Sequence, residues 1–296
     1  MRSRSLTVWI FGLAAGLFLA CAALGAYMTQ LEREHLVYMR FEKVPDLSAV
    51  APVYPPVAGG FAGRFSGDDP IGLMRQVMEL VPCVASDPPT EDPLVLVEHA
   101  EAGGGLVCTG MASIFRAALE ENGFDARIVV LARFLSDRYE THTTVEVRED
   151  GRWVVYDPTF GITFERDGVR LGAQEVKEAF VAGDIGSIET VYVGSSDGYP
   201  ARIGDYYMNW QPLFSNVVVR QPAPSAAAKL PIVRWWLGER RYLQAVDLHR
   251  AENVDFLNGL AFLAAVVLPA MALMFGALAA VFGWRLWRVP GRDADA

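Results

Sequence analysis

An α+β domain held between two apolar segments of membrane-spanning length is the architecture this sequence predicts. Three observations lead there. Two uninterrupted apolar runs lie near the ends of the 296-residue chain. One stretch, 107–122, repeats its apolar residues at helical spacing. Three β-type stretches follow directly behind it, two of them joined by a tight-turn dipeptide.

The first apolar run, 6–28, reads LTVWIFGLAAGLFLACAALGAYM and carries no charge. About 20 such residues cross a bilayer as a helix. A cleaved signal peptide and a lipoprotein site at Cys21 are the rival readings. The run is long for a signal peptide, and Phe18-Leu19-Ala20 before Cys21 fits a lipobox poorly, so an uncleaved anchor is expected. The second run, 256–284, contains Pro269, which a membrane helix can carry as a kink, and ends at Trp284. Arg2 and Arg4 precede the first run, and Arg285, Arg288 and Arg292 follow the second. Basic flanks favour the cytoplasmic side, so the expected layout is tails at 1–5 and 285–296 inside and 29–255 outside. In a bacterium this is an inner-membrane protein with a periplasmic domain.

Hydrophobic residues make up 52% of the chain, and the excess sits in these two runs. The formal net charge is −9 with no long basic tract, which speaks against a nucleic-acid partner. Three cysteines, Cys21, Cys83 and Cys108, form no disulfide framework. The histidines, His35, His99, His142 and His249, lack metal-ligand spacing, and no metal or other cofactor is expected. Cys83 is read as a buried free thiol or, alternatively, as the partner of Cys108 in a redox-sensitive disulfide.

Between the apolar runs, 29–70 is expected to be linker or irregular, with 44–70 rich in Pro, Gly and Ala, and 71–220 the domain. Residues 71–81 have a short helical pattern and 86–93 (SDPPTEDP) reads as a loop. Gly103-Gly104-Gly105 precedes the helix at 107–122, which Asn122-Gly123 ends. Strands are expected at 126–134, 142–147 and 153–157, with Asp150-Gly151 as a hairpin turn. A helix near 173–182 and strands near 188–193 and 214–220 follow. Residues 221–229 read as a linker. Residues 231–255, with Trp235-Trp236 beside Arg234, Arg240 and Arg241, read either as a juxtamembrane helix or as one packed on the domain.

Three residues carry chemistry. Cys108 stands in the first turn of a helix, where unpaired N–H groups and the helix dipole favour a thiolate, behind glycines that allow close backbone approach. A lone cysteine is more often a small core residue. If Asp150-Gly151 is a two-residue turn, then 149 faces 152 and 144 faces 157. His142 then lies diagonal to Asp157 on one face, with Thr144 and Glu146, while Val145 and Val147 point to the core. Such an aspartate would orient the imidazole and favour its protonated form. Taken singly, His142 and Asp157 also fit a rim histidine and a turn aspartate before Pro158.

Together, the stretches GGGLVCTGMASIFRAALEENGFDARIVVL and THTTVEVREDGRWVVYDPTFG resemble the transglutaminase-like superfamily. The shared features are glycine ahead of a helix-opening cysteine, Asp125-Ala126-Arg127 in the following strand, a histidine opening a strand that runs into Val145-Glu146-Val147, Gly151-x-Trp153, and Asp157-Pro158-Thr159. The resemblance covers about 100–165. It implies a papain-like α+β core with the cysteine helix against an antiparallel sheet, Cys108 as nucleophile, His142 as base and Asp157 as orienting acid. Thr143-Thr144 depart from the aromatic common after the histidine, which puts the substrate-facing wall in doubt. The implied chemistry is acyl transfer through a thioester, with the Cys108 N–H as an oxyanion donor and peptide or amide hydrolysis favoured over cross-linking. The expected substrate is a peptide, protein or envelope polymer, and envelope proteins are candidate partners beside the bilayer itself. The alternatives are a catalytically inactive scaffold or binding module and a metal site on the same three residues.

Overall fold

The computed structural model describes residues 2–34, 41–54, 56–57, 61–81, 87–88, 90, 92–134, 141–193, 211–220, 243–245, 263 and 267–288. The elements run, in chain order, α1 (Arg2–Glu34), β1 (Phe41–Lys43), α2 (Pro70–Leu80), α3 (Pro93–Glu101), α4 (Cys108–Glu121), β2 (Ala126–Ala132), β3 (Thr141–Glu149), β4 (Arg152–Tyr156), β5 (Ile162–Arg166), β6 (Val169–Arg170), α5 (Ala173–Ala182), β7 (Glu189–Tyr192), β8 (Asn216–Arg220), β9 (Leu243–Ala245) and α6 (Leu268–Arg288). The chain divides into two compact units. One is Met1–Tyr38 with Pro224–Arg240 and Asp255–Ala296, and the other is Met39–Ala223 with Arg241–Val254.

The larger unit is α+β, as expected. Its main sheet has the strand order β1-β9-β8-β2-β3-β4, antiparallel except for the parallel β1–β9 edge pair. A smaller antiparallel sheet, β6-β5-β7, follows β4. Helices α2, α3 and α4 cover one face of β3 and β4, burying Leu73, Met74, Val77, Leu96, Ile114, Phe115, Val145, Val147 and Tyr156 in one core. The second core lies on the other face, where Val129, Leu131, Val155, Val217 and Val219 meet Ile162, Phe164, Val176 and Phe214. Val145 and Val147 therefore point to the helical core as expected. The opposite face of β3, with His142, Thr144 and Glu146, is buried too, so the strand is covered on both sides. The small sheet and α5 supply that second cover, and neither is visible from the alternation within β3.

Local chemistry explains most boundaries. Asp69 caps α2 by accepting from the Gly72 N–H at 2.8 Å, with Pro70 in the first turn. The unexpected helix α3 begins the same way. Asp92 accepts from the Leu94 N–H at 3.0 Å, and Pro93 occupies the first turn, so the acidic Pro-containing stretch read as loop runs straight into a helix start. Asp150 and Gly151 both have positive φ, 47° and 81°, and pair Glu149 with Arg152, which is the expected two-residue hairpin. A second such turn, Asp167-Gly168, joins β5 to β6. Helix α4 was expected to be amphipathic. Instead every residue from Gly110 to Leu119 is buried, including Arg116, whose guanidinium lies 4.2 Å from the Tyr54 ring centroid.

That tyrosine belongs to the Pro-rich stretch expected as linker. Its backbone is irregular, yet Leu47, Val50, Phe61 and Phe65 are core residues. Tyr54 Oη accepts from the Ile128 N–H at 3.0 Å and donates to the Arg220 carbonyl at 2.8 Å. Arg127, 2% exposed, anchors the stretch through hydrogen bonds to the Leu47 and Val50 carbonyls, and its Nε donates to Glu146 Oε2 at 2.7 Å. The guanidinium stacks 4.2 Å from the Trp153 ring centroid, and Glu146 also accepts from the Ala173 N–H at 2.7 Å. One buried ion pair thus ties together β2, β3, the irregular stretch and the start of α5.

In the smaller unit, α1 and α6 pack antiparallel. A Cβ at Gly276 would meet the Phe18 ring at 3.3 Å, and one at Gly283 the Phe11 ring at 3.2 Å. Ala14 and Cys21 are buried on the same α1 seam, giving the spacing 11, 14, 18, 21 of a packed helix pair. Leu13, Leu19, Leu273 and Trp287 point outward. Ser5–Tyr27 and Leu268–Trp287 are long and apolar enough to cross a membrane, and antiparallel packing puts both chain ends on one side of whatever they cross. Pro269 falls in the first turn of α6. Of the juxtamembrane stretch expected at 231–255, the described residues 243–245 are a strand. The rest of it, the linker 221–229, Cys83, His35 and His249 lie outside the described residues.

Removing one member of the Arg127–Glu146 pair leaves a buried charge uncompensated. Glu146→Ala and Arg127→Ala are each expected to destabilise the domain by about 3–5 kcal/mol, read as a large fall in the thermal unfolding midpoint of the detergent-solubilised chain. The exposed pair Arg152–Glu175 is the control. Arg152→Ala should leave the midpoint nearly unmoved.

Candidate active site

Cys108 is the first residue of α4 and is a partly exposed free thiol. His142 is the second residue of β3 and Asp157 follows β4; each is 1% exposed. The β3–β4 register runs from Glu149–Arg152 to Val145–Tyr156, so its continuation sets 144 opposite 157 and His142 diagonal to Asp157, as the turn predicted. The imidazole Nε2 and Asp157 Oδ2 are 2.7 Å apart. The Cys108 thiol is hydrogen-bonded to the His142 side chain. With Nε2 committed to the carboxylate, Nδ1 is the nitrogen left for sulfur. All three side chains named from the sequence therefore meet in one hydrogen-bonded row.

Two layers of the fold contribute to this row. Thr143 faces the helical layer, and its Oγ1 lies 3.2 Å from Thr109 Oγ1 on α4. His142, one residue earlier, turns to the other face, where the Phe160 ring stands 5.4 Å away, centroid to centroid. The Thr143 backbone also hydrogen-bonds to the Cys108 sulfur. Thr143 thus substitutes for the expected aromatic with a latch between α4 and β3. The aromatic cover comes from Phe160, in the stretch Asp157–Gly161. Nothing in the sequence marks Phe160 for this role, because its approach to the ring depends on the turn after β4.

Asp157 is held from three sides. Its N–H donates to the Ile162 carbonyl at 2.9 Å, and its carbonyl accepts from Gly161 at 2.8 Å, where φ is +66°. Its Oδ1 accepts from the N–H groups of Thr159 at 2.9 Å and Phe160 at 3.3 Å. The turn aspartate and the histidine partner are therefore the same group, one oxygen serving each purpose.

The electrostatics follow from burial and proximity. Burial opposes ionisation of Cys108, but the His142 charge, the hydrogen bond to its ring and the Thr143 backbone outweigh it, and the thiol pKa is lowered. Burial likewise opposes a charged His142. The Asp157 carboxylate and the Cys108 thiolate on either side prevail and raise its pKa to about 10. The lowered thiol and the raised imidazole both shift the balance toward a thiolate–imidazolium pair, and the two groups titrate as a pair.

Two of the glycines before Cys108 shape the end of α3. Gly103, at φ +86°, closes α3, with its N–H on the Ala100 carbonyl at 2.8 Å and that of Gly104 on the His99 carbonyl at 2.9 Å. A Cβ at Gly104 would strike the His99 ring at 2.2 Å. They end one helix, and Gly104 makes room for its last turn.

Because the folded His142 binds its proton above the ordinary value of 6.5, the pair stabilises the fold fully below about pH 6.5 and loses that contribution as pH rises through about 10. Thermal unfolding of wild type and Asp157→Asn should therefore differ most at the acid end of this window and converge toward its alkaline end. A difference that is flat with pH would contradict the assignment.

The family model for the transglutaminase-like superfamily matches residues 72–158, a span that holds Cys108, His142 and Asp157. No curated protein and no solved structure matches the chain. Residues 72–158, with the cysteine-bearing helix set against an antiparallel sheet, are a transglutaminase-like domain.

Proposed function

We infer that this chain is a membrane-anchored cysteine enzyme that transfers acyl groups through a thioester, with Cys108 as nucleophile, His142 as acid and base, and Asp157 as the group that orients the imidazole. One observation carries the reading: the continuous hydrogen-bonded row from sulfur through imidazole to carboxylate. The Cys108 thiolate attacks the carbonyl carbon of an amide, and the carbonyl oxygen takes the negative charge. The Cys108 N–H at the start of α4 is placed to meet that charge. His142 gives its proton to the leaving nitrogen as the C–N bond breaks, leaving an acyl thioester. Water then adds to the thioester, giving a proton to the imidazole, and the carboxylic acid leaves as thiolate and imidazolium are restored. An amine in place of water would give a cross-link. Peptide or amide hydrolysis is the favoured outcome, with a peptide, protein or envelope polymer as substrate.

The antiparallel α1–α6 pair and the basic residues flanking both apolar runs support a layout with both ends cytoplasmic and the catalytic domain outside, periplasmic in a bacterium. Added protease should then digest the domain in right-side-out vesicles and spare it in inverted ones. The reverse pattern would overturn the orientation.

Iodoacetamide labelling, mapped to Cys108 by peptide analysis, tests the nucleophile. At about pH 6 an ordinary thiol of pKa about 8.5 is only ~0.3% ionised. Wild-type Cys108 should label at least about tenfold faster than that fraction allows, and His142→Ala should return it to ordinary thiol behaviour. Equal slow labelling of both proteins would remove the activated thiolate and leave the inactive-scaffold reading.

A further inference from the structure

Helix α4 places the sulfur, yet nothing local holds its start. The residue before Cys108 is Val107, whose side chain cannot accept a hydrogen bond, and no side chain caps the helix from within. The first intrahelical bond runs from the Met111 N–H to the Val107 carbonyl at 3.1 Å. The N–H groups of Val107, Cys108, Thr109 and Gly110 therefore have no partner inside the helix. Asp87, 20 residues upstream of Val107, fills part of this gap. Its Oδ1 accepts from the Val107 N–H at 2.8 Å, and its carboxylate also accepts from the Gly110 N–H. A capping residue and the third helical residue normally divide these two tasks between them. Here a single remote carboxylate does both.

What Asp87 leaves untouched matters as much. The two bonds fall on either side of Cys108 and Thr109, so the Cys108 N–H is held in direction without being consumed. Gly110 is the residue that permits the approach. A Cβ there would lie 2.6 Å from Asp87 Oδ1, so any side chain at 110 pushes the carboxylate away. His99 on α3 and Arg220 on β8 act electrostatically on Asp87, and Arg116 on α4 lies close enough to Arg220 to influence it. Burial raises the Asp87 pKa against the opposing pull of the Val107 and Gly110 N–H groups, His99 and Arg220. The carboxylate thus sits among fixed donors and charges from three elements, which suits a part that must not move.

We propose that Asp87 is a positioning residue of the thioester chemistry, holding the first turn of α4 so that the Cys108 N–H points at the developing oxyanion. This rests on the nucleophile reading of Cys108 given above. It concerns a step in which a carbonyl oxygen gains charge, and alkylation by iodoacetamide has no such step. The two reactions of one thiol therefore separate a positioning role from general loosening of the helix.

The experiment uses the full chain in detergent and two rates mapped to Cys108: alkylation by iodoacetamide, and acylation by p-nitrophenyl acetate, read as the nitrophenolate burst. Asp87→Ala should slow acylation about 10²-fold or more, the loss typical of one misplaced oxyanion donor, with alkylation changed by no more than about threefold. Gly110→Ala, which keeps the carboxylate's charge but displaces it, should do the same. Asp87→Asn, which keeps an acceptor oxygen, should restore acylation to within several-fold of wild type. Should Asp87→Ala fail to fold, the Gly110→Ala and Asp87→Asn pair still decides. Acylation and alkylation falling together, or neither falling, overturns the proposal while leaving Cys108 as nucleophile. A wild type that alkylates like an ordinary thiol removes the nucleophile and the role of Asp87 with it.

Discussion

The register of the β3–β4 hairpin is the constraint on which the site depends. Side chains alternate strictly along a strand, so one residue of slip would send His142 to the helical face and leave Asp157 on the other. The register is pinned where it begins, by two consecutive residues of positive φ at Asp150-Gly151, and again where it ends, by the turn in which Asp157 accepts from Thr159 and Phe160. A turn eight residues beyond His142 thereby fixes a 2.7 Å contact at the far end of the strand.

Burial of the sheet on both faces gives that contact its strength. Charges in water at such distances attract weakly, while the same charges inside a protein attract several times more strongly and suffer more when unpaired. Two polar rows cross the covered face of β3. Near the open end, Cys108, His142 and Asp157 share charge along a line. Nearer the hairpin, Arg127 and Glu146 neutralise one another and engage the backbone of 47–50 and of α5. The second row carries no chemistry, but it holds the layer that keeps solvent from the first. Phe160 gives the imidazole the same shelter at closer range.

The glycines divide between the two units by similar logic. Gly103 and Gly104 let α3 end against His99, Gly110 admits Asp87, and Gly276 and Gly283 admit the Phe18 and Phe11 rings between the apolar helices. At Gly110, Gly276 and Gly283 the missing Cβ makes space for a neighbour that is distant in sequence. That is why the triple glycine beside Cys108 attracts attention in the sequence while Gly110, inside a helical pattern, does not.

Much of the fold and the candidate site is legible in the chain itself, because their determinants are local. Asp-Gly sets the hairpin, and a period of two places Val145 and Val147 on one face with His142 and Glu146 on the other. Apolar length marks the two helices at the ends, and the approach of His142 to Asp157 follows from spacing once the turn is known, whereas Cys108 is joined to them by the family resemblance. Tertiary structure decided what depends on contacts between distant segments. Leu47, Val50, Phe61 and Phe65 of the irregular stretch are part of the core, and Arg127 and Tyr54 tie that stretch to the sheet. Helix α4 is enclosed all round, β3 is covered twice, Phe160 meets His142 from the turn after β4, and Asp87 meets the start of α4 from 20 residues upstream, contacts that no local pattern encodes. Periodicity records which way a side chain points, whereas what it meets is settled by the free energy of packing the whole chain at once.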